Sequence, residues 1–420
     1  MGSSIVASLL FPTFIEASDK KDLHIVIVGG GIGGATAAKY MRLLNSHVKI
    51  TIIEPKKEYL FCPGSNELFP GWRTIKDLTV TYDVFKKYYR IHIIHQKAKK
   101  VDYSAKKLFL EDGTSIFYDK LIVSPGPTYD YKAIKGYNLE LAQTKFPAAW
   151  HLSEQTFLLK QQIDNLKQGG TVILSVPKNP YRCPPAPYER ATMIAEALIK
   201  KNPTAKIIIL DAKNSFIFEK EYIYAWKKKY NYGKKDAMIR WINADNGGEV
   251  VTLDAKESTL ITTDGKRYKA DIINIIPPEK AAQFAFDNDL TDGDWCSVHY
   301  KDFSSKKHKD VYIIGDTIKS DPMPKTGYIA SNQARVVVQA INDTIHNRTI
   351  GTPFIVNDCL AMIDKNFGAT IAEVYRYDGE NKPLVEQYFP PKLDKNKNQE
   401  LFLSKLADDW QLTFQRSIFS

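Results

Sequence analysis

The sequence lacks the features that mark three common classes of protein. It has no run of about 18 apolar residues, so no conventional transmembrane segment is predicted. Its four cysteines include no C-x-x-C pair and no C-x-x-C-H, which argues against a metal site and against a haem bound to this chain. No low-complexity tract or short repeat interrupts the 420 residues. The length suits two or three globular domains.

Positive charge is in excess but is not concentrated. Lysine and arginine number 58 against 48 acidic residues, a net charge of +10, with small clusters at 227–229 and 234–235. No nucleic-acid-binding motif accompanies these clusters, which favours a solvated basic face over a nucleic-acid footprint. Such a face can steer an acidic protein partner.

The N-terminus carries an unusual apolar stretch. Residues 4–14 are largely apolar and are followed by Ile-Glu-Ala-Ser-Asp. The stretch resembles the core and cleavage region of a signal peptide, but no positive segment precedes it. Residues 1–21 are therefore predicted to be a leader remnant, with a disordered or docked tail as the alternative.

A complete dinucleotide-binding unit follows. An apolar strand at 24–29 leads into Gly29, Gly31 and Gly34 in the G-x-G-x-x-G frame, and a helix is predicted at 35–44. A second strand ends at Glu54, which lies 20 residues after the last glycine. Glycines at this spacing allow a tight turn and close approach of a pyrophosphate, and the acid binds ribose hydroxyls. The unit therefore predicts a nucleotide site.

Two later segments belong to the same predicted domain. Residues 118–126, ending in Gly126, have the form of the strand and turn that close the FAD half of disulfide-reductase-like flavoproteins. Residues 311–316 end in Gly315 and Asp316 and resemble the second FAD motif of those enzymes, in which the Asp binds the ribityl chain. The two are some 190 residues apart, so we expect a discontinuous FAD domain with another domain inserted.

The inserted segment has an α/β pattern but no glycine loop. After the strand at 171–176 the chain reads Pro-Lys-Asn-Pro-Tyr-Arg-Cys-Pro-Pro, with Cys183 between prolines. Proline has no backbone N–H, and bulky residues block a pyrophosphate. We therefore predict the fold of an NAD domain without the capacity to bind NAD.

The cysteines are the strongest chemical signal. Cys62 lies shortly after the first nucleotide unit, and Cys183 lies at a strand end, where doubly wound folds place ligands. Four cysteines allow three pairings, and a purely structural disulfide is the alternative for any pair. His92 and His95 lie in a strand-like run and are interpreted as structural.

At this point the chain resembles the flavoprotein subunit of flavocytochrome c sulfide dehydrogenase, in the superfamily of the sulfide:quinone oxidoreductases. The resemblance is carried by Gly-Gly-Ala-Thr-Ala-Ala-Lys-Tyr (33–40), Arg-Cys-Pro-Pro-x-Pro-Tyr-Glu-Arg-Ala (182–191), Trp-Cys-x-Val (295–298) and Pro-Met-Pro-Lys-x-Gly-Tyr (322–328). It implies an α/β fold of two Rossmann-like domains of the disulfide-reductase kind and a small C-terminal domain. The predicted bounds are 22–135 with 279–350 for FAD, 136–278 for the NAD-like domain and 351–420 for the last.

The resemblance also implies roles for the cysteines. Cys62 matches the residue that binds the 8α-methyl of FAD as a thioether, although Pro63 beside it could re-aim the thiol. Cys183 and Cys359 match a redox-active disulfide. Cys296 matches a cysteine without an assigned role, and we expect a small buried hydrophobic residue there.

Other residues complete the predicted site. Glu189 is a candidate proton acceptor, with a surface salt bridge to Arg190 or a lysine as the alternative. A helix after Pro324 is expected to direct its N-terminus, near Lys325, Gly327 and Tyr328, at the pyrimidine end of the flavin.

The resulting hypothesis is an FAD-dependent sulfide dehydrogenase. The resemblance implies that it lies in the periplasm and passes electrons to a c-type cytochrome subunit. A quinone-linked sulfide oxidoreductase is the alternative. A different class is a non-enzymatic FAD-binding interaction protein whose disulfide is structural.

Overall fold

The apolar strand at the start of the first nucleotide unit is an interior strand of the larger sheet. The computed structural model describes residues 23–379, 385–389 and 397–420, so the predicted leader at 1–21 lies outside the described residues. The first part of the chain contains β1 (His24–Val28), α1 (Ile32–Leu44), β2 (Lys49–Ile53), β3 (Glu58–Leu60), α2 (Ile75–Leu78), β4 (Thr79–Thr81), α3 (Asp83–Lys87), β5 (His92–Ile94), β6 (Ala98–Asp102), β7 (Lys107–Leu110), β8 (Ser115–Phe117), β9 (Lys120–Val123), β10 (Pro127–Tyr129) and α4 (Leu139–Thr144).

The middle of the chain alternates strands and helices as predicted. Its elements are α5 (Glu154–Asp164), β11 (Thr171–Val176), α6 (Ala186–Leu198), β12 (Lys206–Asp211), α7 (Glu219–Lys229), β13 (Ile239–Ile242), β14 (Val250–Asp254), β15 (Thr259–Thr262), β16 (Arg267–Lys269), β17 (Ile272–Ile275) and β18 (Glu279–Ala281).

In the last part of the chain, short strands and one long helix are followed by an antiparallel sheet and a C-terminal helix. Its elements are α8 (Gln283–Asp287), β19 (Thr291–Asp292), β20 (Trp295–Cys296), β21 (Val298–His299), β22 (Ser304–Ser305), β23 (Val311–Ile313), α9 (Gly327–Ile345), β24 (Phe354–Asp364), β25 (Phe367–Arg376), β26 (Val385–Phe389) and α10 (Lys397–Phe419).

The larger sheet unites distant segments. Its strand order is β21-β22-β23-β9-β1-β2-β5, so β23 pairs in parallel with β9 although most of the chain between them lies elsewhere. Strand β1 pairs in parallel with both β2 and β9. Ile25, Val26 and Ile27 are fully buried, as expected for a parallel strand covered on both faces. Burial of each such side chain stabilises the fold by about 1.5–3 kcal/mol.

The inserted segment forms a second parallel sheet, in the order β13-β12-β11-β17. The C-terminal part is an antiparallel sheet, β24-β25-β26, against which α10 packs. Two Rossmann-like units and a smaller C-terminal part confirm the predicted α/β fold class. Within the described ranges, none of the helices is both long and apolar enough to cross a membrane.

Candidate active site

The three parts of the fold surround one cavity of about 540 Å³. Such a volume suits a cofactor or a drug-sized ligand. The predicted site residues that line it are Gly29, Gly31, Glu54, Cys62, Gly126, Cys183, Glu189, Gly315, Asp316, Gly327, Tyr328 and Cys359. Lys325 and Gly34 are the two predicted residues that do not line it.

The glycine turn has the geometry that a dinucleotide needs. Gly29 has φ +95°, and a Cβ there would lie 2.2 Å from the carbonyl oxygen of Ser124. A Cβ on Gly34 would lie 1.9 Å from the carbonyl oxygen of Gly29, so this glycine serves close packing of helix on strand. Gly30 donates its N–H to Glu54 Oε2 at 2.8 Å, which fixes the carboxylate beside the turn.

The backbone geometry at three further glycines of the cavity wall is suited to FAD. At Gly31 the nearest atoms to an added Cβ belong to the ring of Tyr59, at 3.4 Å, so no other backbone crowds this turn. Gly126 and Gly315, with φ of +73° and +79°, bring backbone to the wall where side chains would intrude. When bound, FAD would supply the capacity to take up two electrons and release them singly.

Asp316 lines the cavity, but its carboxylate has a protein partner. Arg182 donates from Nε to Asp316 Oδ2 at 2.8 Å, across the junction of the two Rossmann-like units. The arginine lies in the Arg-Cys-Pro-Pro segment and was not predicted as a site residue. Its position immediately before Cys183 was the signal available in the sequence.

Lys325 does not line the cavity, and its predicted part in cofactor binding stays a prediction. Its Nζ donates to the carbonyl oxygens of Asp316, at 2.9 Å, and Ile318, at 2.6 Å. The ammonium also lies 3.5 Å from the ring centroid of Trp295, and burial lowers the pKa of Lys325 to about 8. The helix α9 begins two residues later, with Thr326 Oγ1 accepting from the N–H of Ile329 at 3.1 Å.

Cys183 and Cys359 lie in the same cavity. The structure contains both as free thiols, so the predicted disulfide is not formed in it and stays a proposal. Cys183 has φ +52°, a left-handed conformation that costs a non-glycine residue about 1–3 kcal/mol and is often found at functional sites. Its N–H donates to the carbonyl oxygen of Lys325 at 2.7 Å, and its own carbonyl accepts from Ala186 at 3.0 Å.

The electrostatic surroundings of the two thiols differ. Burial raises the pKa of Cys183 to about 12; the charges of Glu189 and Asp316 add to the rise, and that of Arg182 opposes it. Burial raises the pKa of Cys359 further above its ordinary value, and Cys183 is the largest charge that adds to this rise. The two sulfurs are therefore electrostatic neighbours, and the one beside the arginine is the easier to ionise.

Glu189 opens into the cavity. Burial raises its pKa to about 7, with a hydrogen bond from Asn66 opposing the rise. Asn66 Nδ2 donates to Glu189 Oε2 at 2.6 Å. The alternative of a surface salt bridge is wrong, because Arg190 directs its guanidinium to Asn66 Oδ1, at 3.0 Å, and to Asn274 Oδ1, at 3.1 Å.

The other two cysteines occupy different environments. Cys62 lines the cavity, half-buried, and its Sγ lies 3.8 Å from the carbonyl oxygen of Leu60. Cys296 is fully buried in the core of the larger sheet, and its Sγ lies 3.9 Å from Thr317 Oγ1. The expectation of a buried, hydrophobic Cys296 agrees with this position.

A polar network missed by sequence reasoning supports the loop that carries Cys183. Glu279 accepts from the backbone N–H of Arg182 at 2.7 Å and lies 3.3 Å from His151 Nε2. Burial opposes the ionisation of Glu279, but His151 and Arg182 outweigh it, so the pKa of Glu279 is lowered. His151 also lines the cavity. These residues are scattered along the chain, and no local pattern connects them.

At the end of the second strand of the inserted domain, the acidic residue has protein partners. The acid at the end of β12, Asp211, is fully buried and accepts from Trp241 Nε1 at 3.0 Å and Lys213 Nζ at 2.7 Å. Phe216 stacks on Tyr188 with ring centroids 3.5 Å apart. The carboxylate and the adjacent ring therefore have protein partners, and the incapacity of this domain to bind NAD stays a prediction.

The helix α10 covers one side of the cavity. Trp410, Gln411 and Phe414 line it, and Trp410 stacks on Tyr328 with centroids 5.8 Å apart. An ion pair between Asp408 of this helix and Arg73 joins α10 to the segment that follows Cys62. The C-terminal helix therefore helps to hold the loop on which Cys62 lies.

Parts of the chain are similar to known protein families. A model of the central part of the sulfide dehydrogenase [flavocytochrome c] flavoprotein chain matches residues 156–277, and one of pyridine nucleotide-disulphide oxidoreductases matches residues 23–162. A sulfide dehydrogenase [flavocytochrome c] flavoprotein chain from Chlorobaculum thiosulfatiphilum is 50% identical over 43 residues, which are 10% of this chain and 90% of the relative.

Longer matches are to quinone-linked enzymes. The sulfide-quinone reductase of Aquifex aeolicus is 25% identical over 372 residues, 83% of each chain. The crystal structure of the sulfide:quinone oxidoreductase from Aquifex aeolicus covers 94% of this chain and 91% of its own, with a TM-score of 0.71 and 20% identity, a likeness of fold. The chain belongs to the flavin-dependent superfamily of sulfide:quinone oxidoreductases and flavocytochrome c sulfide dehydrogenase flavoproteins.

Proposed function

We propose that this protein oxidises sulfide with FAD through a redox-active disulfide of Cys183 and Cys359. The observation that carries the proposal is that these two cysteines, distant in sequence, line the same cavity as the glycine turn of the first Rossmann-like unit. A structural disulfide would have no need of this position. The proline-rich loop of the inserted domain supports a reductant other than a nicotinamide.

The first step is thiol–disulfide exchange. Hydrosulfide attacks one sulfur of the disulfide, the S–S bond breaks, one cysteine becomes a persulfide and the other leaves as a thiolate, so atoms and charge balance. The leaving sulfur departs faster when its thiol has the lower pKa. Because Arg182 opposes the rise in the pKa of Cys183, whereas the groups that act most strongly on Cys359 all raise its pKa, attack at Cys359 with departure of Cys183 is favoured.

Glu189 is the proton acceptor in this proposal. A general base works best when its pKa lies near the operating pH, and burial places that of Glu189 at about 7. Its hydrogen bond from Asn66 orients the carboxylate at the cavity wall. It can therefore take up a proton as the sulfur chemistry proceeds and return it to solvent afterwards.

The proposed electron acceptor is a c-type cytochrome subunit, and the proposed location is the periplasm. The support is the flavocytochrome c name of the relative that is 50% identical over its matched segment. FAD is proposed to be attached through Cys62, which lines the cavity. The net charge of +10 would favour a partner with an acidic face.

A quinone acceptor is the second candidate, and one surface feature favours it. Leu401, Phe402 and Leu406 are exposed on α10, with Phe402 61% exposed, in the same helix as the cavity residue Trp410. An exposed apolar face beside a flavin cavity would suit a membrane surface and its quinone. Charged residues such as Lys405 and Asp409 interrupt this face, which favours the cytochrome.

The decisive test is reduction of the flavin by sulfide in the absence of oxygen. The rate of reduction is measured from the bleaching of the flavin absorbance. Cys183→Ser and Cys359→Ser should each abolish rapid bleaching while FAD remains bound. Cys296→Ala, which removes a thiol outside the cavity, is the matched control and should bleach at close to the wild-type rate. Normal bleaching in both serine variants would show that the pair is structural. No bleaching in the wild type would favour the non-enzymatic FAD-binding protein.

The acceptor is tested separately. Protein reduced by sulfide is mixed with a c-type cytochrome or with a soluble quinone analogue, and the return of the oxidised flavin spectrum is timed. Rapid reoxidation by the cytochrome supports the proposal, and rapid reoxidation by the quinone alone replaces it with the second candidate.

A further inference from the structure

The backbone around Arg182 is fixed from both Rossmann-like units. Its N–H donates to Glu279 Oε2 at 2.7 Å, and its carbonyl oxygen accepts from Trp150 Nε1 at 2.9 Å. The next residue, Cys183, donates its N–H to the carbonyl oxygen of Lys325 at 2.7 Å. The arginine and the cysteine are therefore held in one orientation relative to the cavity.

The side chain of Arg182 has donors to spare. Its Nε is paired with Asp316, while Nη2 lies 3.4 Å from the Cβ position of Gly126, a residue of the cavity wall. Across residues 23–379, 385–389 and 397–420, no hydrogen bond reaches Nη1 or Nη2. The side chain is 20% exposed and itself lines the cavity, so part of the guanidinium borders open space.

Other ionisable groups also interact electrostatically with the thiol of Cys183. The groups that interact with it electrostatically are the carboxylates of Glu189 and Asp316, the thiol of Cys359, the phenols of Tyr181 and Tyr222, and the guanidinium groups of Arg182 and Arg190.

The two cations differ in how they are used. Arg190 is 3% exposed, and its nitrogens bond to Asn66, Asn274 and the carbonyl oxygens of Ala148 and Ala149. The guanidinium of Arg190 is thus hydrogen-bonded to neutral side-chain and backbone acceptors. Arg182 keeps unpaired donors at the cavity and adjoins the cysteine in sequence.

We propose that Arg182 is a positioning residue that stabilises the thiolate of Cys183, with Asp316 setting how much of its positive charge is available. The inference rests on the proposed function, in which Cys183 leaves the disulfide as a thiolate. It makes two predictions of opposite sign. Loss of the cation disfavours the Cys183 thiolate, and loss of the Asp316 carboxylate favours it.

The test measures alkylation of the two cavity thiols in the FAD-loaded protein. The protein is reduced with dithiothreitol without oxygen, desalted and treated with iodoacetamide at several pH values between 7 and 9. Mass spectrometry of the Cys183 and Cys359 peptides gives a labelling ratio. A change in access to the cavity alters both rates, whereas a change at Arg182 acts on the Cys183 rate, so the ratio isolates the effect.

In Arg182→Met the ratio of Cys183 to Cys359 labelling should fall about tenfold, the change that one pKa unit produces in a minor thiolate population. Arg182→Lys should restore most of it, because the positive charge is kept. Asp316→Asn should raise the ratio above that of the wild type. Arg267→Met, which removes an exposed arginine paired with Asp254 in the inserted domain, is the control and should leave the ratio unchanged.

An unchanged ratio in Arg182→Met, or an Arg182→Lys ratio as low as that of Arg182→Met, would overturn the proposal. If Arg182→Met does not fold, the labelling ratio in Asp316→Asn tests the proposal. An unchanged or lower ratio of Cys183 to Cys359 labelling in that variant would also overturn it. The labelling reaction contains no sulfide and no electron acceptor, so its result does not depend on the proposed enzymatic activity. A protein that labels as expected but is never reduced by sulfide would therefore refute the proposed function and leave this inference standing.

Discussion

Replacing Glu189 with glutamine should make the protein more stable at alkaline pH. Burial raises the pKa of this carboxyl from 4.5 to about 7. The folded state therefore binds more protons than the unfolded state between these two values, and stability falls as the pH rises through this window. Above pH 7 the ionised carboxylate costs the folded state up to about 3 kcal/mol, a cost that neutral glutamine does not carry.

The glutamine variant isolates the charge. Its side-chain oxygen can still accept the hydrogen bond that Asn66 Nδ2 now donates to Glu189 at 2.6 Å. Urea unfolding of the FAD-loaded proteins, followed by circular dichroism, gives the free energy of unfolding at pH 4.5, 6, 7 and 8. The stabilisation of Glu189→Gln over the wild type should be near zero at pH 4.5, grow through pH 6 and level off above 7.

The control is Glu111→Gln, since Glu111 is exposed in a loop. It removes the same charge without relieving burial, so its effect should stay within about 0.5 kcal/mol at each pH. The reasoning fails if Glu189→Gln is no more stable than the wild type at pH 8, or if its gain is the same at pH 4.5 and pH 8. Either result would mean that Glu189 ionises at its ordinary pKa in the folded protein.

Three further results are expected. Cys62→Ser should still bind FAD but release it on acid denaturation, whereas wild-type protein should retain it; free release from fully loaded wild type would refute the thioether. NADH and NADPH should not bleach the flavin, because Asp211 is buried among protein donors and Phe216 stacks on Tyr188; rapid anaerobic bleaching at micromolar nucleotide would contradict this prediction. Asp408→Asn breaks the ion pair with Arg73, and because Asp408 is half-exposed the free energy of unfolding should fall by less than about 1 kcal/mol in urea titrations.

The predictions that hold most closely come from local backbone requirements. The spacing of Gly29, Gly31 and Gly34 and the acid Glu54 predicted the first nucleotide unit, and helix α1 begins three residues before its predicted start. A tight turn that approaches a phosphate tolerates few residues other than glycine, so the sequence records it directly. The proline-rich segment around Cys183 could be interpreted in the same way, from what proline and bulky side chains exclude.

The direction of side chains was less predictable. Lys325 lies two residues before the start of α9, whose N-terminus was expected to face the flavin, and its ammonium contacts two backbone carbonyls and the ring of Trp295. Successive side chains along an extended segment lie on opposite faces, so a shift of one residue reverses the face on which a side chain lies. The alternative of a surface salt bridge at Glu189 failed for a related reason, since burial depends on elements far away in the chain.

By itself, the sequence determined the two Rossmann-like units, the nucleotide turn and the absence of a second one, because these follow from residue types at fixed local spacing. Only the tertiary structure decided that Cys183 and Cys359 line one cavity, that Arg182 faces it with unpaired donors and that Glu189 is buried enough to titrate near neutrality. These properties depend on distances between segments and on the exclusion of water. Both are set when the two sheets and the C-terminal part pack together, and neither has a local signature in the chain.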